Sequence, residues 1–113
     1  MTAQLPAQFS GYNESSYVIA GDKTLDSDAL GQMGVITATG TITITIPANL
    51  GWKKYQVGLL FNEGGATATL AGASGVTLRE IGNSLTVGGE GAFVHLMYLG
   101  NELYQVSGQM AAA

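Results

Sequence analysis

Residues Thr41-Ile42-Thr43-Ile44-Thr45-Ile46 restrict the fold more than any other part of the chain. Successive strand side chains point to opposite faces, so this alternation puts three isoleucines on one side and three threonines on the other. A helix would scatter both sets around its circumference. Branching at every Cβ also favours extended backbone. The run therefore predicts a strand with one buried face, ended by Pro47, which has no N–H for the ladder.

The rest of the chain is cut into strand-sized pieces by 17 glycines spread as punctuation. Strands are expected over Met33 to Thr37, Tyr55 to Phe61, Ala66 to Ala71, Val76 to Arg79 and Ser84 to Val87. Ala92 to Leu99 (AFVHLMYL) is the most apolar run. It is too short for a typical core helix and apolar on both faces, which predicts a central strand buried on both sides. Gly100-Asn101 signals a hairpin into a last strand over Glu102 to Ser107. The only helical candidate is one turn over Ser27 to Gln32 after an Asp or Ser cap. Seven to nine short strands with regular turn signals read as an all-β chain. The expected form is a single small β-sandwich, jelly-roll-like, over residues 17–113. Residues 1–16 differ: Leu5, Phe9 and Tyr12 follow no steady period, and Pro6 and Gly11 interrupt them. They read as an extended N-terminal arm.

Length and composition limit the function. A chain of 113 residues, 46% hydrophobic and only 11% charged, has one core and should fold. Its surface must then be covered largely by Thr, Ser, Gly, Asn and apolar groups, which suits packing against copies of itself or a partner. The net charge is −4, and the four cations Lys23, Lys53, Lys54 and Arg79 are scattered. Nothing here can neutralise a phosphate backbone, so nucleic acid is not an expected ligand. Without cysteine there are no disulfides or thiolate metal sites. No run approaches the ~20 apolar residues that span a bilayer, and the first ten residues lack the Lys/Arg and apolar run of a secretory leader. Synthesis as a soluble cytoplasmic protein, with no membrane partner, is expected.

Chemistry finds little support. His95 is the only histidine and lies in the most apolar run, which predicts a buried or interface histidine with a satisfied hydrogen bond. Asp22, Asp26 and Asp28 lack the spacing and the following Glu of an EF-hand loop and read as a solvated loop. Gly88-Gly89-Glu90-Gly91 has no Lys-Ser/Thr and opens no helix, so it is a turn and not a phosphate cradle. Asn13-Glu14-Ser15 fits a glycosylation sequon, which has no meaning without secretion. Trp52, beside Lys53, Lys54 and Tyr55, either stacks on a partner or closes the sandwich, and packing is the favoured reading. No catalytic residue, metal ligand or cofactor is expected. A cupin-type enzyme needs several histidines, and the chain has one.

The order of the segments resembles a small β domain found in virion proteins of tailed bacteriophages: head fibres, capsid decoration proteins and tail-fibre knobs. Asp28-Ala29-Leu30-Gly31 is similar to its opening "DAGK"-like turn, with Leu30 atypical. Gly40 through Pro47 match its alternating strand, and Val57 through Gly65 the next strand and turn. Gly75-Val76-Thr77-Leu78 match its short "GVTL" strand. Gly100 through Gly108 match its closing hairpin, with Tyr104 where the pattern has Trp. The resemblance covers roughly residues 17–108. It implies a β-sandwich that commonly trimerises, serves as a virion structural protein and has no catalytic residues.

Within that family, a short chain with its own Met1 and an arm is expected to be an add-on to an assembled shell. The expected protein is a capsid decoration (cement) protein on the outer surface of the head, made in the host cytoplasm. Its expected partners are the major capsid protein lattice and itself, as a homotrimer. The arm residues Leu5, Phe9 and Tyr12 are candidate contacts, together with Trp52 and Tyr55. The alternative is a tail or head-fibre domain that binds a carbohydrate receptor, using Trp52, Tyr55 and Tyr98 as an aromatic platform.

Overall fold

The computed structural model describes residues 16–112. Its strands in chain order are β1 (Ser16–Ile19), β2 (Lys23–Thr24), β3 (Met33–Ile36), β4 (Thr41–Ile46) and β5 (Val57–Asn62). They continue with β6 (Thr67–Gly72), β7 (Thr77–Glu80), β8 (Phe93–Tyr98) and β9 (Leu103–Gly108). Among the described residues there is no α-helix. The helical candidate is a 3₁₀ turn, Ser27–Ala29, whose cap Asp26 accepts a hydrogen bond from the Asp28 N–H at 2.9 Å.

The small all-β domain expected from the sequence is what forms. Two sheets face each other, a larger one in the order β1-β3-β5-β8-β9-β7 and a smaller one in the order β2-β4-β6. Their pairing departs from the hairpin-built, antiparallel jelly roll that the turn spacing suggests. From β1 to β7 the chain changes sheet at every step, so β1, β3 and β5 run parallel, as do β2, β4 and β6. A parallel pair needs a crossover, and here each crossover carries a strand of the opposite sheet in place of a helix. The last strands revert to hairpin logic. β8 pairs antiparallel with both β5 and β9, and β7 joins the far edge parallel to β9. The expected Gly100-Asn101 turn joins β8 to β9, with Asn101 at φ 55°.

The Thr/Ile strand behaves as its pattern dictates. In β4 the isoleucines Ile42, Ile44 and Ile46 are buried, while Thr41 and Thr43 are exposed. Ala68 and Leu70 of β6 lie beside them in register, and Leu60, Val94, Leu96 and Val106 of the large sheet complete the core. Each large side chain so buried contributes about 1.5–3 kcal/mol before ordering costs.

Ser84 to Val87 is not a continuous strand. It forms an isolated bridge, Thr69 to Thr86, with the two hydroxyl oxygens 3.2 Å apart. A second bridge, Val87 to Met110, ties the same segment to the chain after β9 and so covers the open edge of β6. Strands β1 and β2, which no strong periodicity announces, hold the two sheets at the start of the domain.

Candidate functional site

Among the described residues no group of three or more His, Cys, Asp or Glu side chains comes together. Two of the three loop aspartates hold backbone: Asp22 accepts from the Thr43 N–H at 2.9 Å, and Asp26 caps the 3₁₀ turn. Gly88 to Ala92 line a shallow depression with Gln109 and Met110, and Ala92 donates its N–H back to Gly89, which is a turn. No helix of the described residues is long and apolar enough to cross a membrane.

The two tyrosines with displaced acidity belong to the core. Burial pushes the Tyr17 phenol up to about 12, helped by the charge of Asp26. Burial likewise pushes Tyr104 up to about 12, with Glu102 and Tyr98 adding to it. Neither phenol is a proton donor or acceptor tuned to neutral pH.

Trp52 and Tyr55 are separated by the fold. Trp52 is only 5% exposed, packs edge-on to Tyr104 with ring centroids 5.7 Å apart, and lies over Gly58. It closes the core, as the favoured reading held, and a buried indole offers no stacking surface to a partner. Tyr55 is 63% exposed at φ 74°, an unusual backbone for an aromatic residue. Its N–H donates to the Tyr98 carbonyl at 2.6 Å, and Lys54 Nζ sits 5.3 Å from its ring centroid. Tyr98 is half-buried against Tyr104. The three-ring platform is therefore reduced to Tyr55. Leu5, Phe9 and Tyr12 lie outside the described residues; Ser16, taken as the end of the arm, opens β1.

The surface that stands out is the outward face of the large sheet. Register places Val18 beside Val35, Val35 beside Phe61, and Phe61 beside Phe93 across four neighbouring strands. A second row runs from Met33 through Leu59 to His95. Phe61 and Phe93 stack with centroids 4.7 Å apart, leaving Phe93 44% exposed, while Val18 is 63% exposed. This overturns the expectation that β8 is buried on both sides, and, of the two readings of His95, the buried one. Strand β8 is central in its sheet, but only Val94, Leu96 and the half-buried Tyr98 face the core; Phe93 and His95 face outward. His95 is exposed because the register that buries Val94 and Leu96 turns it to the other side.

No family model, curated protein or solved structure matches this chain. The face must be read from its own chemistry.

Seven of the eight carboxylates belong to the described residues, Glu14 being the exception. None of the seven occupies an outward position of the large sheet: six stand outside the strands, and Glu80 shares the inward side of β7 with Leu78. The ionisable groups on the face are His95 and, at its far edge, Arg79, whose Nε–H donates to Gln105 at 2.8 Å. The opposite outward surface, on the small sheet, carries Thr41, Thr43, Thr45, Thr67 and Thr69. One outer face is hydroxylated; the other is apolar over β1, β3, β5 and β8 and turns polar over β9 and β7, with Gln105, Ser107, Thr77 and Arg79. The sequence signal for this was the two-sided apolarity of VGLLFN and FVHLMY, which reads equally as a strand covered on both sides.

Proposed function

We propose that this chain is a bacteriophage virion structural protein, a capsid decoration protein that binds the outer surface of the assembled head and acts without catalysis, as a homotrimer. The observation that carries the reading is the outward face of the large sheet, which is apolar over β1, β3, β5 and β8 and, among the described residues, free of carboxylates. Extended apolar faces of this kind mark surfaces made to be covered by protein. The segment order that resembles phage virion domains supplies the setting. Residues 1–16, with Leu5, Phe9 and Tyr12, serve in this reading as the link to the major capsid protein lattice. A carbohydrate-receptor role has lost its main support, since Trp52 is in the core.

Mixing the purified chain with undecorated heads of the phage that encodes it, followed by sedimentation, tests the proposal. Saturable co-sedimentation is the expected result. A chain that stays in the supernatant at every concentration would overturn it.

A further inference from the structure

We propose that the outward face of the six-stranded sheet is where copies of this chain pack against one another, with the Phe61–Phe93 pair at the centre of the contact. The inference rests on the homotrimer reading for the number of copies alone; the surface itself comes from the geometry.

The first argument is the contrast between the two outer faces. The small sheet meets solvent with a lattice of threonines, so this fold does not need an apolar exterior. The large sheet nonetheless exposes Val18 and Phe93, with Val35 and Phe61 joined to them by direct strand register and Leu59 and Met97 further along the same side of β5 and β8. Hydration of such a surface is unfavourable, and covering it with a like surface relieves the cost on both partners.

The second argument identifies the occupant. Each chain carries a net charge of −4, so copies repel unless their carboxylates stay away from the contact. This face meets that condition within the sheet, because no described carboxylate stands at an outward strand position. A nucleic acid or an anionic lipid surface would need a field of cations, and Arg79 at the rim is a single one. A carboxylate-free face with a stacked, half-exposed Phe pair across two of its inner strands has the anatomy of a contact between copies. Around a three-fold axis one part of the face meets a different part of its neighbour's. Large aromatic anchors carry most of the energy of such contacts.

Area sets the strength. Four strands at ~4.8 Å spacing and five residues at ~3.3 Å rise cover roughly 300 Å² in projection. A standard stable interface takes about 800 Å² from each partner. Association is therefore concentration-dependent, and it favours copies already crowded on a surface.

The test is sedimentation equilibrium of the full chain from micromolar to near-millimolar concentration. Mass should rise to an integral multiple of the chain mass, three on the reading above. Phe93→Glu and, separately, Met97→Glu should weaken association by about tenfold or more, as loss of a central anchor does. Ile81→Ser, at a fully exposed turn beyond β7, and Thr43→Glu, on the threonine face, should leave association unchanged.

A second readout does not depend on those variants folding. The chain lacks cysteine, so His95→Cys accepts one nitroxide at the centre of the face. Its spectrum should broaden through spin–spin coupling as copies associate, whereas a label at Thr43→Cys should not broaden. A monomer throughout the series would overturn the inference, as would a folded Phe93→Glu protein that associates like the parent. So would a monomeric full chain that associates only after residues 2–12 are deleted, because the arm would then be covering the face of its own chain. Since heads are absent, loss of self-association with head binding intact sinks this inference alone. Self-association without head binding sinks only the proposed function.

Discussion

Asn62 ties together four backbone groups with one amide. Its Nδ2 donates to the carbonyls of Ala66 at 2.9 Å and Gly88 at 2.8 Å, while its Oδ1 accepts from the N–H groups of Gly65 and Ala66. The residue has no exposed surface, and the two Ala66 groups it serves are buried with it, so those would lack a partner without it. Asn62→Ala should cost roughly 2–4 kcal/mol, since each buried group left unpaired costs about 1–3 kcal/mol before relaxation. Asn62→Asp should also destabilise, because a carboxylate faces two carbonyls without the amide's donors. Urea unfolding of both variants checks this, and a loss under about half a kcal/mol for Ala would show that water or a shifted turn replaces the amide. Nothing in Phe61-Asn62-Glu63-Gly64-Gly65 distinguishes this asparagine from an ordinary turn residue. Its role depends on Gly88, far along the chain, and such meetings leave no local trace. Gly64 is similar: a Cβ there would strike the carbonyls of Thr37 and Ala38. Trp52 was easier to read, because a large apolar ring after a strand end has a strong preference for the interior.

Individual strands were legible where one face is apolar and the other polar, and β4 is the clearest case. Their partners were not. Period-2 alternation is the same for parallel and antiparallel neighbours, so nothing in Thr41 to Ile46 says that β6 will run parallel to it. The two-sided apolar strands misled for a related reason: alternation is lost equally when a second layer covers a face and when that face awaits a partner. Strand placement also explains how the domain should respond to alkali. Tyr17 on β1 and Tyr104 on β9 both hold phenols raised from the ordinary 10.0 to about 12 by burial. The native state therefore retains two protons that the unfolded chain releases first. Their contribution is fully present below about pH 10 and is lost as pH rises from about 10 toward about 12. Urea midpoints measured across that window should fall, and Tyr17→Phe with Tyr104→Phe should flatten the fall. An equally steep decline in the double variant would place the alkaline weakness outside these two phenols.

At the scale of the whole molecule, the core formed by the described residues runs from Ile19 to Val106. Among these residues the buried side chains come from both sheets and make one cluster. Deleting residues 2–12 should therefore leave the melting temperature within a few degrees of the parent, since a shift of 4–8 °C already corresponds to about 1 kcal/mol in a domain of this size. Removed with them are Leu5, Phe9 and Tyr12, three large apolar groups in a segment without charge before Glu14. Docked on a capsid subunit, each would contribute about 1.5–3 kcal/mol, against an ordering cost of roughly 1–2 kcal/mol per residue fixed. Only the few residues in direct contact can therefore be fixed, and a single arm contributes little. Attachment through arms then needs several acting together, which copies joined through the large sheet would provide. Two measurements separate the parts. The truncated chain should self-associate as the parent does, yet sediment with undecorated heads far less completely. The Phe93→Glu chain, its arm intact, should also bind heads more weakly, because each copy would attach through one arm. If the truncated chain co-sediments as well as the full one, the arm is not the attachment device, and the exposed Tyr55 with its neighbouring Lys54 becomes the surface to mutate next.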